Sequence, residues 1–323
     1  MSETYVYLSR YDVETINLQV REIIETVEEA FMAKGHGKVE MPPKPGIHPQ
    51  KDAFIHAMPA FIQDPEAAGM KWVSGFPGNP SKGLPYVTGL IILNDPETGI
   101  PISVMDCTWI TAKRTAAATA VAAKYLARSE SERVGIVACG VQGRVNLEAL
   151  CTLFPVKSVN AYDLYPETAR QYAEEMSSLL SVDIHPVPGV KEAVAGADIV
   201  VTSGPILKEP DPLIEPGWLA PGSFACALDF DSYWQGAALS EIDKLATDDI
   251  NQLNYYRETG YFKTTPEPYA DLGQIVTGRK EGRTSDEERT MSMNLGLAIE
   301  DMAVATKIYK KALETNAGTR LPL

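Results

Sequence analysis

The sequence has few cysteines and no closely spaced pair of them. Its four cysteines lie far apart in the chain: Cys107, Cys139, Cys151 and Cys226. A disulfide framework or a zinc site would require closer, patterned cysteines. No group of histidines and cysteines has the spacing of metal ligands either, so we expect no metal. This scarcity is typical of a protein of the reducing cytoplasm, which is the location we expect.

Long apolar runs and an excess of positive charge are also missing. No window approaches the roughly 18 uninterrupted apolar residues of a membrane-spanning helix. The first residues, MSETYVYLSRYDVE, lack the basic start and apolar segment of a secretion signal. The 323 residues carry a net charge of −14. An acidic surface repels nucleic acid and anionic membranes, so we expect neither as a partner.

The chain is long enough for two domains, and its first part predicts a helix followed by a sheet. Apolar residues recur at helical spacing over Asn17–Phe31, and a proline-rich loop follows at Met41–Pro49. The predicted strands are Phe54–Met58, Gly69–Ser74, Tyr86–Leu93 and Ile102–Met105. Consecutive strands favour an antiparallel or mixed sheet, with a hairpin at Asp95–Gly99. An alanine-rich helix over Thr111–Arg128, capped by Thr111, then leads into the next domain.

From Arg133 onward strands and helices alternate, which predicts a parallel sheet with helices on both faces. The predicted strands are Val134–Ala138, Ser158–Tyr162, Val182–His185, Ile199–Thr202, Ser223–Leu228 and Lys244–Thr247. The predicted helices are Gln142–Leu153, Glu167–Leu180, Val190–Ala195 and, last, Leu295–Leu313. The fold class is therefore α/β: a Rossmann-type, doubly wound parallel-sheet domain plus a mixed α+β domain.

A glycine-rich turn, Ala138-Cys-Gly-Val-Gln-Gly143, follows the first strand of the alternating region. Dinucleotide sites need a tight turn, a bare backbone at Gly140 and a helix N-terminus aimed at the pyrophosphate. Here alanine replaces the first glycine. Asp163 ends the next strand, where a carboxylate binds the adenosine ribose and disfavours a 2′-phosphate, so NAD is favoured over NADP. Arg144 and Arg170 are near enough in the sequence to complicate this preference for NAD. The alternative to a dinucleotide site is a plain tight turn of an α/β domain.

The sequence resembles the ornithine cyclodeaminase/μ-crystallin family over essentially its whole length. The matching segments are Gly69–Ser74, Asn79, Gly83–Pro85, Ile92–Asp95 with Thr98-Gly99, Thr111–Ala117, Gly140–Gln142, Gly196–Val200 and Gly296–Asp301. The resemblance implies a substrate-binding and dimerisation domain over residues 1–115, completed by a C-terminal helix over 302–323, and an NAD(P)-binding domain over 116–301. It also implies a homodimer.

The resemblance further implies an NAD(P)-dependent oxidoreductase that interconverts an α-amino acid and its imine or 2-oxo acid by hydride transfer at Cα. Two alternatives stay open: an ammonia lyase of the ornithine cyclodeaminase type with catalytic NAD, and a non-enzymatic binding protein like μ-crystallin. His56 stands where the ornithine-specific member has a glutamate near its substrate, and it either binds substrate or packs.

The family pattern also assigns roles to single residues. Lys44, Lys71 and Arg114 are expected to bind the substrate carboxylate, with Leu295 lining the pocket. Lys71 and Asp231 are expected to be catalytic. The expected cofactor contacts are Arg114, Thr115, Gly140, Val141, Gln142, Asp163, Thr202, Ser203 and Asp231.

Three further interpretations rest on the residues themselves. In a continuing strand Asp229 and Asp231 would lie on the same side, so only the family pattern selects Asp231. Glu300-Asp301 is interpreted as a pair that favours the dipole at the N-terminus of the last helix. Trp72 and Trp109 are expected to pack in the core.

Overall fold

The computed structural model describes residues 4–323, so residues 1–3 of the first predicted domain lie outside the described residues. Up to residue 126 the strands are β1 (Thr4–Leu8), β2 (Val39–Glu40), β3 (Gly46–Ile47), β4 (Phe54–Gln63), β5 (Glu66–Gly75), β6 (Val87–Asn94) and β7 (Pro101–Asp106). The helices of this part are α1 (Arg10–Ile16), α2 (Val20–Gly35) and α3 (Thr108–Leu126).

The rest of the chain alternates strands and helices before a long last helix and a final strand. The strands are β8 (Arg133–Val137), β9 (Ser158–Tyr162), β10 (Asp183–Pro186), β11 (Ile199–Thr202), β12 (Phe224–Ala227), β13 (Lys244–Thr247), β14 (Ala270–Asp271), β15 (Thr290–Met293) and β16 (Thr319–Pro322). The helices are α4 (Val141–Leu153), α5 (Pro166–Leu180), α6 (Val190–Val194), α7 (Gly236–Leu239), α8 (Ile250–Glu258), α9 (Leu272–Val276) and α10 (Ala298–Thr315).

The chain divides into two compact units. Unit 1 comprises the described residues up to Arg114 together with Gly296–Leu323, and unit 2 comprises Thr115–Leu295. The second segment of unit 1 thus begins at Gly296, rather than at residue 302 as predicted. The physical reason is that Glu300 and Asp301, at the start of α10, form ion pairs with side chains of unit 1.

Unit 1 contains a mixed sheet of eight strands in the order β16-β1-β7-β6-β5-β4-β2, with β3 also paired to β4. Within it β1 runs parallel to β7, and the other neighbours are antiparallel. Side chains alternate between the two faces of a strand. Lys71 and Val73 of β5 are buried, while Trp72 between them is exposed, and α10 packs against β4, β5 and β6.

Unit 2 contains a second eight-stranded sheet, in the order β10-β9-β8-β11-β12-β15-β13-β14. Every neighbouring pair in it is parallel. The part β10-β9-β8-β11-β12 has the order of a nucleotide-binding Rossmann sheet. In that fold the strand order reverses between the strands that come first and fourth along the chain. That reversal falls between β8 and β11, where Val137 pairs with Thr202. The predicted parallel and mixed sheets are therefore both present.

Several element boundaries differ from the prediction for local reasons. The predicted first helix, Asn17–Phe31, corresponds to α2, which begins at Val20 because Asn17 adopts a left-handed conformation. The sequence did not predict the short α1 before it, which begins at a capping box of Ser9 and Asp12. Thr111 does not cap α3, which begins at Thr108, whose N–H donates to Asp106. The last helix begins at Ala298 rather than Leu295, since Gly296 has a φ of 82°.

Candidate functional site

Lys71, the predicted catalytic and carboxylate-binding lysine, lies on β5 with its side chain fully buried in the face of the sheet that α10 covers. Its ammonium is 2.6 Å from Oδ2 of Asp301, at the start of α10. Neither atom has a further hydrogen-bond partner among residues 4–323. A buried ammonium can donate three hydrogen bonds, so Lys71 retains donors that this part of the chain does not use.

Arg114, the second predicted carboxylate-binding residue, is held by the same two acidic residues of α10. Its Nη1 donates to Oε2 of Glu300 at 2.7 Å, and its Nε donates to Oδ1 of Asp301 at 3.0 Å. Both carboxylates are fully buried. The dipole interpretation of Glu300-Asp301 was therefore incomplete: the pair lies in the first turn of α10, but its carboxylates form ion pairs with Lys71 and Arg114.

Burial sets the direction of the pKa shifts in this cluster. The pKa of Lys71 lies below its usual value because burial disfavours the charged ammonium and Arg114 adds a like charge, while Asp301 opposes both effects. The pKa of Glu300 is raised, mainly by burial, against the opposing charge of Arg114. These residues thus form a buried ionic cluster, in which the removal of one partner affects the others.

Lys44, from the proline-rich loop, is a third buried cation of unit 1. Its Nζ donates to the carbonyl oxygen of Gly296 at 3.2 Å. Gly296 has a φ of 82°, and an added Cβ there would lie 2.6 Å from Nη1 of Arg114. A residue with a side chain would therefore be strained and would displace the guanidinium. Glycine at this position permits Lys44 and Arg114 to approach the same stretch of backbone.

His56 lies on β4 with its ring stacked on Phe54 at a centroid distance of 4.3 Å, and its edge contacts His48. Its pKa is lowered to about 3 by burial and by the charges of Lys44, His48 and Lys71. The imidazole is consequently neutral at physiological pH. It packs, and it also lies among the cations of this site, so its two predicted roles are compatible.

In unit 2 the glycine-rich turn begins at the end of β8 and leads into α4. Ala138, which replaces the first glycine, has a φ of 77°, a region that alanine rarely adopts. An added Cβ at Gly143 would lie 2.6 Å from the carbonyl oxygen of Ala138, so the close approach of helix and turn requires glycine there. Gly140 is exposed with open space where a Cβ would stand, and α4 has no side-chain N-cap.

Asp163 follows β9 and binds the turn directly. Its Oδ2 accepts the N–H of Cys139 at 2.9 Å, and its Oδ1 accepts the N–H of Tyr165 at 3.0 Å. Arg144 and Arg170, which complicated the cofactor preference, are paired with Glu175 and Glu167 respectively. Each carboxylate oxygen of Asp163 can accept a second hydrogen bond, so its backbone contacts leave capacity for ribose hydroxyls.

Thr202 and Ser203 follow the same edge of the sheet at the end of β11, and they make different contacts. The hydroxyl of Ser203 donates to the carbonyl of Ala138 at 3.1 Å, which links β11 to the glycine-rich turn. Thr202 is buried, donates to Asp229 at 2.8 Å and accepts from Nε1 of Trp234 at 3.2 Å. Both polar functions of the Thr202 hydroxyl are therefore engaged within the domain.

Asp229 and Asp231 are not equivalent, because β12 ends at Ala227 and Phe230 between them has a φ of 59°. Asp229 is fully buried and accepts from Thr202 and from the N–H of Gly204 at 3.0 Å. Asp231 accepts from the hydroxyl of Thr265 at 3.1 Å. Strand alternation does not apply across this turn, so the two carboxylates have separate surroundings.

Burial raises the pKa of both aspartates, and in both it is opposed by a threonine hydroxyl. The pKa of Asp229 rises to about 7. The pKa of Asp231 is also raised above its usual value. Phe230 packs against a cluster of aromatic rings that holds this loop: Tyr256, Tyr261 and Phe262.

The remaining predicted residues have simple placements. Leu295 is buried in the hydrophobic cluster of unit 2. Val141 is exposed in the first turn of α4, and Gln142 and Thr115 are partly buried on α4 and α3. The ion pairs of Glu300 and Asp301 and the contact of Thr265 with Asp231 were not predicted from the sequence. The Glu300-Asp301 pair was visible in the sequence, but its burial was not.

Three other features complete the description of residues 4–323. Within the described part of the chain, no group of three or more His, Cys, Asp or Glu side chains is placed to hold a metal ion. None of the helices in this part of the chain is long and apolar enough to cross a membrane. A crevice of about 360 Å³ in unit 2 has Lys124, Arg128, Arg283 and Asp286 among its lining residues, and it contains none of the predicted site residues.

Comparison with known proteins agrees with this geometry over nearly the whole chain. Alanine dehydrogenase of Archaeoglobus fulgidus is 37% identical, with 97% of each chain covered. The solved structure of Thermococcus litoralis Δ¹-pyrroline-2-carboxylate reductase with NADH and L-proline is 36% identical, covers 97% of this chain and 99% of its own, and has a TM-score of 0.89.

An archaeal alanine dehydrogenase dimer with bound NAD is 34% identical, covers 99% of this chain and 100% of its own, and has a TM-score of 0.88. These likenesses confirm the predicted fold class. Residues 3–316 match the ornithine cyclodeaminase/mu-crystallin family, as the sequence motifs predicted. The chain belongs to the ornithine cyclodeaminase/mu-crystallin family.

Proposed function

We propose that this protein is an NAD-dependent oxidoreductase that interconverts a small α-amino acid and its imine or 2-oxo acid. The observation that carries the proposal is the buried ionic cluster of unit 1, in which Lys71 keeps unused hydrogen-bond donors beside Arg114. A buried ammonium with unused donors suits a substrate carboxylate. The named activities of the alanine dehydrogenase and pyrroline-2-carboxylate reductase relatives support the same reaction class.

In this proposal Lys71 and Arg114 bind the substrate carboxylate and thereby orient its Cα. Lys44, which approaches the same stretch of backbone through Gly296, contributes a third positive charge. The burial of the cluster strengthens these charge-assisted contacts, because charges interact more strongly in the protein interior than in water. Fixing the carboxylate removes the rotational freedom of a small substrate, and such positioning is a large part of catalysis in this kind of reaction.

The residues of unit 2 fit a dinucleotide. Gly140 leaves open space at the helix N-terminus, and the first turn of α4 has no side-chain cap, so its N–H groups suit a pyrophosphate. Asp163 would bind the ribose hydroxyls, Val141 and Gln142 lie in the first turn of α4 beside Gly140, and Ser203 contacts the glycine-rich turn at Ala138. Bound NAD supplies the hydride acceptor or donor for the substrate Cα. We propose NAD rather than NADP because Asp163 disfavours a 2′-phosphate.

Asp231 is the proposed acid–base residue. Its carboxylate is nearly buried, its pKa is raised, and Thr265 fixes one of its oxygens. A carboxyl group with a raised pKa exchanges protons more readily near neutral pH. In the direction of amino-acid oxidation, Asp231 would take a proton from the water that attacks the imine carbon, and it would return a proton to the departing nitrogen.

We also propose a homodimer that forms through the outer face of the mixed sheet. Trp72 and Leu90 are paired across β5 and β6 on the face opposite Lys71, and they are 45% and 42% exposed. The expectation that Trp72 packs in the core of the chain was therefore wrong. Two adjacent large apolar side chains on an exposed sheet face are typical of an interface. The alanine dehydrogenase relative described as a dimer supports the same assembly.

The test of the activity is incubation with NAD and L-alanine, L-proline, L-ornithine or L-lysine, and with NADH and the matching imines or 2-oxo acids plus ammonia. A net change in the absorbance of the reduced cofactor with alanine or proline, or in the reverse direction, supports the proposal. Release of ammonia from ornithine or lysine without a net change would identify a cyclodeaminase. Tight NAD binding without turnover of any of these compounds would identify a binding protein. Either the cyclodeaminase result or the binding-protein result would refute the proposal.

A further inference from the structure

Glu300 and Asp301 are two consecutive acidic residues, and both of their side chains are fully buried. A favourable interaction with a helix dipole does not require this, because the dipole also acts on carboxylates at the surface. Removing a carboxylate from water is costly unless cations and hydrogen-bond donors compensate it. The arrangement therefore calls for a role beyond the stability of α10.

Asp301 uses its two oxygens for two different cations. Oδ2 lies 2.6 Å from the ammonium of Lys71, and Oδ1 accepts the Nε of Arg114 at 3.0 Å. One rigid carboxylate thus fixes the distance and angle between the two groups that are proposed to hold the substrate. Glu300 adds a second anchor for Arg114 at Nη1, and its Oε1 accepts the N–H of Leu297 at 3.3 Å.

We propose that Asp301 is a positioning residue of the reaction, which sets the places of Lys71 and Arg114 for the substrate carboxylate, with Glu300 as the second support of Arg114. This inference rests on the proposed function. Its basis is the pair of contacts made by one buried carboxylate, together with the donors of Lys71 that remain unused. A residue that only stabilised the helix would have no need to contact both cations.

The charged and titratable groups around Lys71 define how Asp301 acts on it. Arg114 lies on α3, Cys107 immediately before α3, His56 on β4, and Glu300 and Asp301 on α10. Burial and Arg114 lower the pKa of Lys71, while Asp301 raises it. Asp301 therefore has a second effect: it keeps Lys71 protonated, and so able to bind an anion, up to a higher pH than it otherwise would.

The test is Asp301→Asn, which retains the shape of the side chain and removes its charge. Well below the melting temperature of the variant, kcat/KM should fall about 100-fold, since a substrate displaced by about 1 Å loses this much. The alkaline limb of the pH profile of kcat/KM should move to lower pH by about 1 to 3 units, because Lys71 loses the nearby opposite charge.

Two further variants separate positioning from stability. Asp301→Glu retains the charge at a displaced position, so the alkaline limb should stay near that of the wild type while kcat/KM falls. Asp12→Asn removes the capping-box carboxylate of α1, which contacts Ser9. It should lower the melting temperature without changing the pH profile. If Asp301→Asn does not fold, the Asp301→Glu variant alone tests the proposal. A kcat/KM of Asp301→Glu equal to that of the wild type would overturn it.

Failure of the proposed function is distinguishable from failure of this inference. If the wild type turns over none of the amino or imino acids, binding of pyrrole-2-carboxylate, a planar carboxylate that is neither oxidised nor reduced, replaces turnover as the readout. Wild-type binding that weakens at least 10-fold in Asp301→Asn supports the positioning role. An unchanged affinity, or turnover with an unshifted alkaline limb, would show that Asp301 serves stability only.

Discussion

Asp229 and Asp231 are two residues apart, and replacement of each by asparagine should have opposite consequences. Burial raises the pKa of Asp229 from 3.8 to about 7, so the folded protein favours its protonated form. The Thr202 hydroxyl donates to the ionised carboxylate. When Asp229 is protonated, its own hydroxyl can donate to Thr202 instead, while its other oxygen still accepts the N–H of Gly204. The amide of asparagine can make the same pair of contacts, which makes Asp229→Asn a mimic of the protonated state.

The size of the expected change in the free energy of unfolding follows from the raised pKa of Asp229. The folded state binds the proton of Asp229 more tightly than the unfolded state, so this group contributes stability that is complete below about pH 4 and is lost as pH rises to about 7. At 1.36 kcal/mol for each pKa unit, the loss amounts to roughly 4 kcal/mol. Asp229→Asn cannot ionise, so its free energy of unfolding should exceed that of the wild type at pH 8, whereas at pH 4 the two should be similar.

The assay is urea unfolding of both proteins at pH 4, 6 and 8, followed by tryptophan fluorescence, with turnover and NADH binding measured in parallel. Asp229→Asn should turn over substrate like the wild type. Asp231→Asn should lose about 10²–10⁴ in kcat with cofactor binding unchanged, since it removes the proposed acid–base group. A stability difference for Asp229→Asn that does not vary with pH would refute the burial argument, and an inactive Asp229→Asn beside an active Asp231→Asn would exchange the roles.

The remaining predictions concern the carboxylate site, the cofactor preference, the strained turn and the dimer. Arg114→Lys retains the charge but cannot bind Glu300 and Asp301 together with a substrate, so KM should rise more than 10-fold in steady-state kinetics; a wild-type KM would contradict the role. The wild type should bind NADH more tightly than NADPH by calorimetry, and Asp163→Ser should narrow that gap; a preference for NADPH would refute the assignment. Ala138→Gly should leave the free energy of unfolding unchanged or raise it by about 1 kcal/mol, because glycine adopts a φ of 77° without strain. The control, Ala173→Gly within α5, should lower the free energy of unfolding by about 1 kcal/mol. An equal loss of stability in both variants would show that the turn at Ala138 is not strained. Trp72→Glu should yield monomers in light scattering at micromolar concentration, whereas a wild type that is already monomeric would exclude the dimer.

Much of unit 2 could be predicted from the sequence because its signals are local. Apolar strands such as β8 and β11 alternate with helices, and the glycine-rich turn stands where the first strand meets its helix. The edge of the mixed sheet in unit 1 could not be predicted in this way, because it is formed by the two ends of the chain. Thr4 of β1 pairs with Pro322 of β16, and no local pattern reveals a partner so distant in sequence. Short, partly polar edge strands of this kind also lack a clear apolar alternation.

The site divides in a similar way. Lys71 and Arg114 could be predicted as site residues because they lie in sequence motifs of the family. Their ion-pair partners, Glu300 and Asp301, could not be predicted. Two acidic residues at the start of a helix predict an interaction with its dipole, and burial, which made them counter-ions here, depends on how α10 packs on the sheet. The different surroundings of Asp229 and Asp231 follow from the φ of Phe230, a backbone angle that no residue pattern predicts.

The discontinuity of unit 1 has a consequence for how the protein is made. On a ribosome, Lys71 and Arg114 emerge long before Glu300 and Asp301, and all of unit 2 is synthesised between them. Unit 2 is one uninterrupted segment and can fold while the later residues are still being made. Unit 1, by contrast, lacks the carboxylates that pair with Lys71 and Arg114 until Gly296–Leu323 is made, and burying the two cations before these carboxylates arrive would be costly. The pairing of the Lys71 and Arg114 side chains with Glu300 and Asp301 is therefore completed last, after all of unit 2 has been synthesised.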